Sequence, residues 1–187
     1  QSQNGKLSPK FYKDKREVFR EKMPENSVVV LFSAPIRNRA NDVDYVFHQD
    51  PNFFYLTGWH QPNSVLMIYK NPQVDELGSF HEKIYILERD KYKELWNGKR
   101  YSLEAVKKLG FERVNTRNHF MDDISNLSTY DKVLMFGFNN DIRNQEDDPF
   151  DLFDLKAAFK KAINFPSSFD RELYTVYQHI LKADDDS

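Results

Sequence analysis

The hydrophobic and polar positions at the start of the chain predict one helix followed by one buried strand. Apolar residues recur at mostly helical spacing after Ser8, which can cap the first turn, and Pro9 suits the first helical position. Pro24 ends this pattern. Ser27 to Ala34 (SVVVLFSA) is then a continuous, β-branched apolar run. Such a run is typical of a strand buried on both faces, which favours an α/β sheet.

Strand and helix patterns alternate through the rest of the chain. The predicted strands cover Asn52 to Thr57, Ser64 to Tyr69, His81 to Asp90, Phe111 to Asn115 and Lys132 to Phe138. The predicted helices cover Asp90 to Trp96, Ser102 to Leu109 with Gly110 closing it, His119 to Leu127, Leu152 to Ile163 and Asp170 to Lys182. The polar, acidic segment from Asn139 to Asp151 predicts a loop or linker. This order is consistent with an α/β sandwich.

Composition excludes several classes of function. The 187 residues carry a net charge of -2 with scattered basic residues, unlike the one-sided basic stripe of a nucleic-acid binder. The absence of cysteine excludes disulfides, thiol nucleophiles and cysteine zinc sites. No apolar run approaches the ~18 residues of a membrane span. The chain begins at Gln1 without a methionine, so we expect either that a segment such as a signal peptide was removed or that the sequence is an excerpt of a longer one; a cytoplasmic location and an exported or periplasmic one both stay open.

Candidate chemistry from the residues alone is sparse, and each candidate keeps an alternative. Asp42 and Asp44 alternate in an extended stretch and could meet a cation or a substrate amine, or be hydrogen-bonded loop acids. The acids from Glu146 to Asp154 have the spacing of a solvated loop that enters a helix. The five histidines lack metal-peptidase spacing. A magnesium nuclease of ribonuclease H type would need a carboxylate in the first strand, which has none.

Two blocks carry a family resemblance. Asn41 to Ile68 reads NDVDYVFHQDPNFFYLTGWHQPNSVLMI and joins many aromatic residues to a Gln-Asp-Pro turn and a Thr-Gly corner. Glu88 to Phe111 contains the run ERDKYKELWNGKRYS. Both blocks resemble the N-terminal domain of aminopeptidase P, the metal-dependent Xaa-Pro aminopeptidases, also called the creatinase N-terminal domain.

The resemblance implies a three-layer α/β sandwich, with a mixed six-stranded sheet of ribonuclease H-like motif flanked by helices. Residues 1–140 would form the α/β N-terminal domain, and residues 141–187 an acidic loop plus helices that complete the domain and lead toward a C-terminal catalytic domain. That further domain would hold two manganese or similar divalent ions on two Asp, one His and two Glu. The resemblance therefore implies no catalytic and no metal-ligating residue in this chain.

The resemblance also assigns roles to individual positions. Trp96, Asp42, Arg100 and Tyr45 would border the substrate groove or an oligomer interface, although core packing remains an equal alternative for Trp96. The turn residues Gln49, Asp50 and Gly58 would have structural roles. His48 stands where the family has arginine, which offers five donors against at most two for histidine. Trp59 replaces a family phenylalanine.

The expected partners are the chain's own catalytic domain, a proline-containing peptide substrate and further copies of the chain, with neither nucleic acid nor membrane. The activity implied for the full-length protein is removal of an N-terminal residue that precedes proline, whereas the 187 residues alone would be inactive. A stand-alone protein-binding module on the same fold is the alternative from another class. A prolidase, which acts on dipeptides, is the alternative among enzymes.

Overall fold

A mixed β-sheet forms the centre of the computed structural model, which describes residues 8–33, 49–61, 64–86, 102–135 and 152–162. The helices are α1 (Pro9–Glu21), α2 (Pro51–Thr57), α3 (Leu103–Lys107), α4 (Arg117–Asp123) and α5 (Leu152–Ala162), with a 3-10 helix at Ile124–Thr129. The strands are β1 (Ser27–Phe32), β2 (Val65–Asp75), β3 (Gly78–Ile86), β4 (Val114–Thr116) and β5 (Lys132–Met135).

The strand directions give this sheet one edge where most strands end. The order is β4-β3-β2-β1-β5. β2 is antiparallel to β1 and β3, while β5 runs parallel to β1 and β4 runs parallel to β3. Four strands therefore end, and β2 begins, on the side that we call the carboxyl edge. The predicted mixed α/β sheet flanked by helices is confirmed, with five strands in the described part of the chain. The implied sixth strand is not among them.

Helices cover both faces of the sheet. Neighbouring residues of a strand point to opposite faces. On β3, Glu82 pairs with Arg16 of α1, and the next residue, Lys83, pairs with Asp123 of α4. On the α4 side, Phe32 packs edge-on against Phe120 at 6.0 Å and Phe159 at 5.6 Å between ring centroids. The sheet is thus the middle of three layers, with α1 and α2 on one face and α4 and α5 on the other.

Several local predictions are confirmed in the described residues. The hydroxyl of Ser8 accepts a hydrogen bond from the Phe11 amide at 3.3 Å, and Ser102 caps α3 in the same way through Ala105. β1 is buried over nearly its whole length, as its apolar run predicted. The predicted helices at Asp90 to Trp96 and Asp170 to Lys182, and the acidic segment from Asn139 to Asp151, lie outside the described residues.

The strand predicted at Asn52 to Thr57 is wrong, because this stretch forms helix α2. Asp50 accepts a hydrogen bond from the Phe53 amide at 2.9 Å, and Pro51 occupies the first turn, so the helix start is strongly specified. The buried residues Phe53 and Leu56 lie three positions apart, which is a helical spacing. The six residues from Asn52 to Thr57 also fit the two-residue period of a strand, so the helix cap at Asp50 decides between strand and helix.

Candidate functional site at the carboxyl edge

The turn that leads into α2 is held at the carboxyl edge by one side chain. Gln49 Nε2 donates to the carbonyl oxygens of Trp59 and Gln61, both at 2.9 Å. Its Oε1 accepts from the Asp50 amide at 2.9 Å, and Asp50 then caps the helix. The two ends of the Gln49 to Gln61 segment are therefore drawn together around a single amide.

The corner after α2 requires glycine for two reasons. Gly58 has φ of 63°, in the left-handed region, and its amide donates to Phe54 O at 2.8 Å. A β-carbon there would lie 2.6 Å from Cζ and 2.7 Å from Cδ2 of Tyr12. Thr57 Oγ1 accepts from the Trp59 amide at 2.9 Å, which fixes the exit direction of the chain.

Trp59 joins this corner to the end of β1. Its side chain is only 5% exposed, and its indole N–H donates to Ser64 Oγ at 2.9 Å. The Ser64 amide donates to Ser33 Oγ at 2.7 Å, and the Ser33 amide donates to Ser64 O at 2.9 Å. A phenylalanine in place of Trp59 could not donate the first of these bonds. His60, the next residue, is exposed.

Arg16 is a buried charge that ties four segments together beneath this corner. Its Nε lies 2.7 Å from Glu82 Oε2, and both side chains are nearly inaccessible. Its Nη1 and Nη2 donate to Leu56 O at 3.0 Å and Gly110 O at 3.3 Å, while the guanidinium stacks 4.5 Å from the Phe111 ring. The position of α2 therefore depends on a charge on α1.

Burial dominates the protonation of this ion pair. Burial raises the pKa of Glu82 to about 7, although the Arg16 charge opposes that rise. Burial likewise lowers the pKa of Arg16, with Glu82 acting in the opposite direction. Sequence reasoning missed both residues. In the sequence, each residue could have been recognised as a charge on an otherwise apolar face. Arg16 lies at helical spacing from Phe19 on α1, and Glu82 alternates with Ile84 on β3.

Helix α5 brings a second cation, the half-buried Lys156, toward the same edge. Lys156 Nζ lies 5.4 Å from the Phe32 ring centroid, near the end of β1. Burial lowers its pKa to about 8, and the negative charge of Asp50 acts against that shift. Nothing in the local sequence distinguished Lys156 from the other lysines of an amphipathic helix, so only the packing of α5 singles it out.

The other predicted site residues lie outside the described residues. Trp96, Arg100, Asp42 and Tyr45 belong to the stretches 87–101 and 34–48, as do Asp44 and His48. The described residues that flank these stretches include Ser33 and Gln49, both at the carboxyl edge, and Ile86 at the end of β3. The structure thus brings together the turn residues Gln49, Asp50 and Gly58.

Acidic and histidine side chains do not converge within the described ranges. No group of three or more His, Cys, Asp or Glu able to hold a metal ion occurs there. The described residues therefore do not fit a dinuclear metal centre. Across these same ranges, no helix combines the length and apolar character that crossing a bilayer requires.

Comparisons with known proteins identify the fold family. Residues 12–135 match the model of the family described as aminopeptidase P, N-terminal domain. The chain is 36% identical over 111 residues to intermediate cleaving peptidase 55 of Schizosaccharomyces pombe, an alignment covering 57% of this chain and 22% of that protein. It is 36% identical over 101 residues to the Xaa-Pro aminopeptidase of Haemophilus influenzae, covering 54% and 22% of the two chains.

A solved structure agrees with these relatives. Escherichia coli aminopeptidase P with the inhibitor Pro-Leu superimposes with a TM-score of 0.62 and 26% identity, over 73% of this chain and 31% of that one. The chain therefore spans about a third or less of the proteins that it resembles. The matched family model covers more than half of the 187 residues. The chain belongs to the aminopeptidase P N-terminal domain family.

Proposed function

We propose that this chain is the noncatalytic N-terminal domain of a metal-dependent Xaa-Pro aminopeptidase. The observation that carries the proposal is the family match over residues 12–135, together with relatives that are three to five times longer than the aligned part. The divalent ions, manganese or similar, would lie in the remainder of the protein. The dipeptidase alternative receives no support from the relatives reported above, which include a named Xaa-Pro aminopeptidase and an aminopeptidase P.

The proposed role of the domain is to form one wall of the substrate groove from its carboxyl edge. Residues 34–48 carry Asp42 and Tyr45, and the described residues on either side, Ser33 and Gln49, are both fixed at that edge. Residues 87–101 carry Trp96 and Arg100 and follow the end of β3. We propose that these four residues meet a proline-containing peptide or a neighbouring subunit.

We also propose that the domain continues to the end of α5. Leu155 and Phe159 of this helix are fully buried, and Phe159 packs against Phe32 of β1. A helix with this contact supports the division in which residues 141–187 complete the domain and lead toward a catalytic domain.

The first experiment compares the 187-residue chain with the natural gene product that contains it. Release of the first residue from an Ala-Pro peptide is measured with and without added manganese. We expect metal-dependent release by the longer protein and none by the 187 residues. Metal-dependent release by the 187 residues would disprove the noncatalytic role. A natural product of only 187 residues that cleaves nothing would instead indicate the binding module.

Variants of Trp96 test the groove or interface role. Trp96→Ala in the longer protein should lower kcat/KM or disrupt assembly while leaving the thermal midpoint of the domain nearly unchanged, and Trp96→Phe should retain most of the activity because it keeps an aromatic face. Unchanged activity and assembly, together with a clearly lowered thermal midpoint, would make Trp96 a core residue.

A further inference from the structure

Arg16 holds two separate segments of the chain through a single rigid group. Its Nη1 donates to Leu56 O in α2 at 3.0 Å, and its Nη2 donates to Gly110 O, which follows α3, at 3.3 Å. A guanidinium is planar and presents its donors in a fixed fork. The shape of this group therefore sets the separation of the two carbonyl oxygens. Displacement of either segment would lengthen one of the two hydrogen bonds.

The guanidinium of Arg16 is itself fixed by charge and by packing. Glu82 Oε2 lies 2.7 Å from Arg16 Nε, so the central strand β3 supplies the anchor. The Phe111 ring centroid lies 4.5 Å from the guanidinium carbon and covers one face of the group. Arg16 and Glu82 are both buried, so neither side chain can turn toward solvent. The fork is therefore held in place from the sheet.

Other acidic side chains act on this ion pair from a greater distance. Burial lowers the pKa of Arg16, and the charges of Glu82, Glu112 and Glu17 oppose that shift. Glu112 accepts a hydrogen bond from the His81 amide at 2.6 Å, which directs its carboxylate to β3. Glu82 is the carboxylate in contact with the guanidinium. It is therefore the acid that fixes the orientation of Arg16.

Burial of this ion pair is better explained by position than by stability. Taking two charges out of water is costly, and apolar pairs of similar volume are often as stable or more stable. The apolar faces are already present here, since Phe19 on α1 and Ile84 on β3 are fully buried. An apolar pair would continue those faces but would leave both carbonyl oxygens without their donor. Fixing one arrangement among several is the best attested use of such buried charges.

The two segments held by the guanidinium adjoin the stretches proposed to border the substrate groove. Residues 34–48 lead directly into the turn at Gln49, and residues 87–101 lead directly into α3 through Ser102. Gln49 Nε2 donates to Trp59 O at 2.9 Å, close to the end of α2 that the guanidinium holds. A change in the separation of the two held segments would therefore be passed to both stretches.

We propose that Arg16, fixed by Glu82, is a positioning residue that sets the separation of the two stretches bordering the substrate groove. In this role Arg16 acts through α2 and through the segment after α3, without contact to the peptide. The inference rests on the proposed peptidase function and adds the residue that aligns the two sides of the groove. Because this domain would carry no reacting group, misalignment weakens peptide binding, so KM rises while kcat is retained.

Kinetics of the longer protein on an Ala-Pro peptide separate position from stability. Arg16→Met/Glu82→Leu replaces both charges with apolar side chains, so the domain should keep a thermal midpoint near that of the wild type. We expect its KM to rise about tenfold with kcat within about twofold. Arg16→Lys keeps the charge but loses the planar fork, so its KM should be intermediate, and it carries the test should the double variant fail to fold.

A matched control separates this effect from general destabilisation. Leu127 is buried in the 3-10 helix and belongs to neither held segment. Leu127→Ala leaves a cavity in the core, so it should lower the thermal midpoint. We expect its KM to equal that of the wild type, whereas a purely structural role of Arg16 would give both variants the same kinetic behaviour at equal stability.

Distances between two spin labels test the same role without any enzyme activity. The chain has no cysteine, so His60→Cys and Lys108→Cys, both at exposed positions, place labels only beside the two held segments. In the 187-residue chain we expect the distance distribution to broaden or shift in Arg16→Met/Glu82→Leu. The distribution in Leu127→Ala should match that of the wild type.

The outcomes distinguish this inference from the function on which it rests. Wild-type peptide release with an unchanged KM in both Arg16 variants would overturn the positioning role, as would an unchanged label distance in the double variant. Absence of release by the wild-type longer protein would instead refute the proposed peptidase function. The label distances would then still support or overturn the hold of Arg16 on the two segments.

Discussion

Alanine at position 58 would meet two separate obstacles. Gly58 has φ of 63°, where a side chain crowds the following carbonyl, at a cost of about 1 kcal/mol. The new methyl group would also lie 2.6 Å from Cζ of Tyr12, so the ring must move. Forcing an extra methyl group into a packed site costs about 1–3 kcal/mol. Alanine also lowers the conformational entropy of the unfolded chain, which offsets this destabilisation by about 0.5 kcal/mol. We expect Gly58→Ala to lower the free energy of unfolding by about 2–3 kcal/mol.

Urea unfolding followed by circular dichroism measures this change, and a double-mutant cycle separates its parts. In a Tyr12→Ala background the ring is absent, so the cost of Gly58→Ala should fall to about 0.5 kcal/mol, the backbone strain less the entropy gain. Gly78→Ala is a control, because φ there is 110° and nothing lies within 4 Å of the added methyl group. An equal cost of Gly58→Ala with and without the Tyr12 ring would refute the steric argument.

Three further predictions concern buried or paired groups. The folded-state pKa of Glu82, about 7, lies above the ordinary value of 4.5, so the folded chain binds this proton more tightly. The stability that this bound proton adds is therefore fully present below about pH 4.5 and is lost as the pH rises to about 7. Chemical denaturation should show that the free energy of unfolding of the wild type falls by about 2 kcal/mol more between pH 5 and pH 8 than that of Glu82→Gln. The hydrogen bond from Arg113 lowers the pKa of Asp75 to about 2, so the stability it adds is present above the ordinary value and lost as pH falls toward 2. NMR titration should return that pKa toward its ordinary value in Arg113→Gln, and an unchanged midpoint would contradict the pairing. Trp59→Phe removes the donor to Ser64 Oγ and should cost about 1 kcal/mol in urea unfolding, whereas no loss would mean that this bond adds nothing.

Helix α2 shows where local sequence stops being informative. The stretch from Asn52 to Thr57 fits a strand by alternation and a helix by three-residue spacing. Asp50 and Pro51 favour the helix, and the cap is visible in the sequence once the aromatic alternation is set aside. By contrast, Ser8 before α1 and the apolar run of β1 each have a single local solution, and both predictions are confirmed.

The candidate site also contains residues that the sequence identifies and contacts that only the tertiary structure reveals. Gln49, Asp50 and Gly58 could be singled out from the sequence because turns and caps use a few residue types at fixed spacing. The partners of these residues could not be predicted, since Gln49 binds carbonyls ten and twelve residues away and Tyr12 packs on Gly58 from another helix. The Arg16–Glu82 pair joins residues 66 positions apart, and only the packing of α1 on β3 makes two buried charges compatible.

The sequence by itself determined the family, the alternation of helices and strands, and most local helix starts, because capping, periodicity and turn chemistry act over a few residues. The tertiary structure decided which groups meet at the carboxyl edge and which charges are buried, because these depend on strand order and helix docking across long separations. Contacts between residues far apart in the sequence depend on the free energy of the whole core, so a local sequence pattern does not predict them.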